Sequence, residues 1–369
     1  MLRLPRFAPL APPAPLALAL AASGASPLPA QQTARPLEAL FYYSDNEESW
    51  ASFQRNVDRI SVVAPPGYTI DSLGLMFGGV DPMVMALAKS RGVRVMPLIV
   101  NERFHQPSLR RLLADSTALA RSIEQMVALC RANGYWGLQF DVENLPVDDR
   151  ERFTRWFTDA AAAMHRAGFV LSIAVVHRPE EAVGPLGYHR FLFDSWRGGY
   201  DLAAIGKAAD FVTIMSYSQH TRRTPPGPQA GMAWTRDVAN HFLRHIPKEK
   251  LSLGIATQSM RWYTREDASI PERARSWADA ISHGWALHLA ERNGATFVWD
   301  DAEKVSWTRY AVGGTYEWLF HEDVRSFGAK LDLARELGLR GFSVWVLGPE
   351  DERIWTLLPA REGATRSRD

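Results

Sequence analysis

The chain has 369 residues, of which 46% are hydrophobic and 22% charged, so it can bury one large core and is not a disordered polymer. Its formal net charge is +1 with no long basic run, which excludes a broad electrostatic footprint for nucleic acid. Cys130 is the only cysteine, and no intramolecular disulfide can form.

Residues 1–30 begin with Arg3 and Arg6, pass through an apolar run at 16–22 and leave through small residues to Pro29 and Ala30. That order describes a secretory signal peptide. The run is shorter than the roughly 20 residues that span a bilayer. A secreted or periplasmic protein without a membrane span after leader removal is therefore expected, as a monomer.

After the leader, eight short apolar runs read as strands, at 39–43, 60–64, 93–100, 138–143, 170–176, 211–215, 251–256 and 341–346. Helical patterns lie between most of them, at 81–91, 108–133, 148–167, 234–245 and 323–337. Cys130 falls on the apolar face of one such pattern and is expected to be a buried helix residue. Regular alternation of this kind implies parallel strands with crossover helices, and eight units suggest a closed (β/α)8 TIM barrel of class α/β. The interval between strands seven and eight is too long for one crossover. A helix pattern at 274–293 and short strands at 295–300 and 313–320 predict a small α+β insertion at about 258–322. The barrel is expected to span 37–362, with a disordered tail at 363–369.

The run Gly134-Tyr-Trp-Gly-Leu-Gln-Phe-Asp-Val-Glu-Asn144 carries the chemistry. Side chains alternate across a strand, so Gln139, Asp141 and Glu143 share one face. Interior parallel strands are normally apolar on both faces, and three successive polar residues need a reason. Two carboxylates about 6 to 7 Å apart, two strand rises, are close enough for one charge to raise the pKa of the other acid. Glycoside hydrolysis requires a poised acid beside an ionised carboxylate. A solvated acidic edge or a metal-binding pair would also explain the run taken alone.

Position favours the first reading. Barrel active sites lie at strand C-termini, and Asn101, Asp141, Glu143, His177, Met215, Tyr217, Gln258 and Trp345 all close strands or follow them directly. Trp50, Phe104, Trp262 and Tyr263 fall in rim segments, where an aromatic ring is as often packing as a further sugar subsite, and His220, like His177, follows a strand end where it could contact substrate. The ten histidines show no HxH or HExxH spacing, so no catalytic metal and no cofactor are expected.

At these residues the chain resembles glycoside hydrolase family 18, and within it the bacterial peptidoglycan-type branch of spore cortex-lytic N-acetylglucosaminidases. Residues 136–143 align with the family's DxxDxDxE pattern, keeping the last Asp as Asp141 and the acid as Glu143. Met215-Ser-Tyr217 matches the sixth-strand Met-x-Tyr, and Trp345 matches the eighth-strand Trp. Trp136, Gln139 and Ser218 depart from the pattern.

The resemblance implies a glycosidase acting on an N-acetylglucosamine-containing polysaccharide. It implies substrate-assisted retaining catalysis, in which Glu143 is the general acid and base, Asp141 supports the 2-acetamido group, and Tyr217 binds the acetamido oxygen. It places Trp345 under the sugar, and Gln139, with its amide donating to Asp141, Met215, Asn101, His177 and Gln258 around the substrate. The alternative is a non-catalytic sugar-binding protein on an eroded barrel, for which the three departures speak and the retained acids do not.

Overall fold

The computed structural model describes residues 36–180, 186–267 and 270–361. The expected leader at 1–30 and tail at 363–369 lie outside the described residues.

Barrel strands one, two and four to eight are Glu38–Tyr42, Val62–Ala64, Gly137–Asp141, Val170–Val176, Phe211–Met215, Leu251–Ala256 and Gly341–Trp345. The third is split into Arg94–Val95 and Leu98–Asn101. Pro97 explains the split, because it has no N–H to give the ladder. The first half pairs with strand two and the second with strand four. Across the gap Met96 N donates to Val63 O at 3.0 Å, and Gln139 N donates to Pro97 O at 3.0 Å. Strand eight pairs in parallel with strand one, so the sheet closes on itself as a (β/α)8 barrel.

Strand alternation divides the core in two. Outward residues such as Leu138 and Phe140 are fully buried under helices, with Phe140 against Trp156 at 4.8 Å and Phe157 at 5.3 Å. Inward residues Leu40, Tyr42, Val62, Met96, Phe211 and Val346 form a separate cluster inside the barrel. The helix Ser116–Asn133 starts at Asp115, whose carboxylate accepts from the Thr117 and Ala118 amides, and stops at Gly134 with φ 68°. Its Cys130 is buried, and burial pushes the thiol up to about 12.

Between strands seven and eight lies a five-stranded antiparallel sheet of Ser259–Asp267, Ile270–Ile281, Val298–Asp300, Val305–Val312 and Thr315–His321, with the helix His283–Arg292. The helix expected at 274–293 is corrected: the chain is strand to Ile281 and helical only from His283. Ala274, Arg275, Ala278 and Ala280 favour a helix locally, but pairing along Ser259–Asp267 prevails. The strand Val305–Val312 was not expected. It joins Thr315–His321 through Gly313 and Gly314, whose φ values of 55° and 82° suit a two-residue hairpin turn. Among the described residues no helix is long and apolar enough to cross a membrane.

Candidate active site

Strand four ends at Asp141, and the chain turns away through Asn144 at φ 55°. The turn is clamped by side chains from other elements. Asn101 Nδ2 donates to Glu143 O at 3.0 Å, and Glu143 N donates to Asn101 Oδ1 at 3.0 Å. Tyr200 OH donates to Val142 O at 2.6 Å, and Asn144 Nδ2 donates to Phe104 O at 2.8 Å. Asp141 and Glu143 thereby face a cavity of about 560 Å³ whose walls include the strand ends at Tyr42, His177, Met215, Tyr217 and Trp345.

Burial raises the pKa of both acids. Asp141 is pushed up to about 8 by burial and then by the charge of Glu143. Glu143 is raised by burial, opposed by the Trp196 indole, which leans on it without meeting full hydrogen-bond geometry. Ionising both acids in this enclosed space is unfavourable, so the pair retains a proton near neutral pH. The arrangement can therefore supply a proton and a carboxylate to the same ligand.

His177 is almost fully buried, with Nδ1 3.1 Å from Met215 O and Nε2 2.9 Å from Arg197. Because a carbonyl only accepts, Nδ1 carries the proton and Nε2 accepts from the guanidinium. Burial, reinforced by Arg197, lowers this imidazole to about 3, and it is neutral. Tyr217 lies over Gly254, where a Cβ would come within 2.1 Å of Ile214 O and 3.1 Å of the Tyr217 ring. Trp345 tilts against Tyr42 at 5.5 Å and 59°.

Three expected residues lie elsewhere. Gln139 does not donate to Asp141. Two residues deeper in the barrel, it is fully buried and gives its amide to Ser172 at 3.0 Å and Thr213 at 3.3 Å. Thr213 continues to Ser343 and Ser343 to Ser252, so a polar network crosses the barrel beneath the cavity. Asn101 is 2% exposed and holds the Glu143 backbone rather than the cavity wall. Gln258 borders an adjoining cavity of about 290 Å³, which shares Tyr217, Ser218 and Trp345 with the main one.

Of the rim aromatics, Trp262 is 1% exposed and packs on Phe320, which leaves no face for a sugar. Trp50 packs against Phe53, Tyr263 donates to Asp279 at 2.7 Å, and Phe104 is exposed. Trp136 stacks on Phe211 beneath the Arg94 guanidinium, at the opposite end of strand four from Asp141. Ser218 borders both cavities, and its N–H donates to Gln229 Oε1 at 3.1 Å.

Sequence reasoning missed one whole wall. The helix Gly187–Leu192 and the single π turn Phe193–Arg197 bring Tyr188, His189, Leu192, Trp196 and Arg197 to the cavity. The available signal was aromatic and basic residues crowded into a long strand-to-helix connection. Tyr42 was missed too, although it closes the first strand.

The family model for glycosyl hydrolases family 18 matches residues 49–350. The chain belongs to glycosyl hydrolase family 18. Among its relatives in the family are the cortical fragment-lytic enzymes of Bacillus subtilis, 30% identical over 279 residues, and Bacillus anthracis, 24% identical over 265 residues. The matches cover 74% and 72% of this chain but only 61% and 58% of those proteins' lengths. Family 18 folds superpose on it closely. The spore cortex-lytic enzyme SleL of Bacillus megaterium has a TM-score of 0.76 at 23% identity, over 88% of this chain and 74% of that one. A chitinase from Chromobacterium violaceum has a TM-score of 0.75 at 23% identity, over 87% and 97%. Among the described residues no group of three or more His, Cys, Asp or Glu side chains is arranged to hold a metal ion.

Proposed function

We propose that this chain is an exported, monomeric glycosidase that cleaves β-1,4-linked N-acetylglucosamine-containing glycans with retention, the substrate's own 2-acetamido oxygen serving as nucleophile. The observation that carries the reading is the buried pair of carboxyls, Asp141 and Glu143, facing an aromatic-walled cavity at the strand ends. Family membership and the names of the cortex-lytic and chitinase relatives support it. The leader-like composition of residues 1–30 supports export.

In this reading the acetamido N–H, once bound, holds Asp141 ionised, so the one proton the pair retains rests on Glu143, which gives it to the glycosidic oxygen as the bond to the leaving sugar breaks. The acetamido oxygen closes on the anomeric carbon, and Asp141 accepts the acetamido N–H and stabilises the cationic ring. Tyr217 donates to the acetamido oxygen and Trp345 packs under the apolar sugar face. Glu143, now a carboxylate, takes a proton from the water that opens the ring, which restores the starting state.

The test compares wild type and Glu143→Gln on chitooligosaccharides and on purified peptidoglycan, with products read by mass spectrometry. Glutamine preserves size and hydrogen bonding but transfers no proton, so turnover should fall about 10² to 10⁴-fold. A cyclic thiazoline analogue of the intermediate should still bind wild type more tightly than substrate does. Turnover at the wild-type rate by a folded Glu143→Gln protein would overturn the assignment. Sugar binding without turnover by wild type would support the binding-protein alternative.

A further inference from the structure

Among the described residues, arginines that meet a carboxylate include Arg261 with Glu317 and Arg91 with Asp58. Arg197, Arg222 and Arg223 differ. All three line the cavity that holds Asp141 and Glu143, and among the described residues none has an ion-pair partner. Arg197 is half-buried; one of its terminal nitrogens is spent on the neutral His177, while its buried Nε has no hydrogen-bond partner among the described residues. A cation removed from water without a counter-ion is costly, and an arriving anion relieves that cost. Arg222 stacks 5.1 Å from the centroid of Trp277. Stacking fixes the guanidinium plane and leaves its N–H edge open, the geometry that receives a carboxylate. Arg265 lies 5.1 Å from the same ring.

Resting on the glycosidase reading above, we propose that Arg197, Arg222 and Arg223 form an anion-recognition wall that selects glycans carrying a carboxylate on the sugar beside the cleaved N-acetylglucosamine. A neutral homopolymer leaves these three cations unpaired. A glycan with an ether-linked acid, or with a peptide acid attached through it, pairs them. The wall sits on the segment Phe193–Arg197 and on the loop after strand six, elements other than the fourth strand that carries the two acids.

The test uses three oligomers of equal length: alternating N-acetylglucosamine and 3-O-lactyl N-acetylglucosamine as the free acid, the same oligomer as its methylamide, and a neutral chitooligosaccharide. The readouts are kcat/KM for turnover and Kd by calorimetry. Wild type should prefer the free acid over the amide. Arg197→Gln should reduce that preference about tenfold or more, as for a charge-assisted bond in a part-buried site. The exposed pair Arg222→Gln with Arg223→Gln should reduce it about two- to fivefold, and raised salt should erode it in wild type. A lactyl dipeptide with a free C-terminus separates the two sources. Recovery of the preference there identifies a peptide carboxylate, and its absence identifies the ether acid itself. Equal kcat/KM and Kd for acid and amide in wild type, or a preference untouched by all three substitutions, would overturn the proposal. If no oligomer is turned over, the glycosidase reading fails, and the ratio of Kd values still decides whether the arginines recognise the acid.

Discussion

Replacing Asp141 by asparagine should stabilise the fold against rising pH. In the folded chain the Asp141 carboxyl titrates at about 8, against 3.8 for an ordinary aspartate, because burial and the neighbouring Glu143 charge both oppose ionisation. Below the unfolded value the acid is protonated in both states and costs nothing. Above it the unfolded chain releases the proton while the folded chain keeps it, so stability falls as pH rises, until the folded group ionises as well. The slope approaches the one-proton limit, on the order of 1 kcal/mol per pH unit, or roughly 3 kcal/mol between pH 5 and 7. That is a large fraction of the roughly 5 to 15 kcal/mol that holds a domain together. Asparagine has the same shape and does not titrate, so the stability difference between variant and wild type should grow through this window and level off above it. Urea denaturation of both proteins at pH 5, 6, 7 and 8 measures it, and taking the difference at each pH cancels titrations elsewhere. Adding Glu143→Gln should remove the remaining pH dependence of the pair. Parallel pH profiles for wild type and Asp141→Asn would refute the buried-pair argument.

Asn101→Ala removes both hydrogen bonds to the Glu143 backbone and leaves a part-buried N–H and C=O unpaired. It should cost about 1 to 3 kcal/mol in a thermal or urea melt and reduce kcat more than it raises KM, since it positions the acid rather than the sugar. Wild-type kcat with wild-type stability would show the clamp to be dispensable. Neither EDTA nor a reductant should alter folding or turnover, and restoration of lost activity by a divalent ion would contradict the mechanism.

Much of the barrel was legible in one dimension because its constraints are local. Each of the eight short apolar runs is apolar on both faces, as an interior parallel strand is, and that pattern can be recognised without knowing its partner. Asp141 and Glu143 were legible for the same reason, since two acids in such a run contradict it. The strand Ile270–Ile281 was misread because its residues favour a helix locally while its hydrogen bonds belong to a distant partner, Ser259–Asp267.

What the sequence by itself determined is therefore the barrel's order and the identity of the acids at its fourth strand end. What only the tertiary structure decided is which side chains meet there. Asn101 stands 42 positions from the residue it clamps, and Gln139 gives its amide to partners 33 and 74 positions away instead of to Asp141. Arg197 and Arg222 reach the cavity from separate connections. Loops carry no period that reports where their side chains point, so a wall built from them exists only once the barrel has closed and brought its strand ends together.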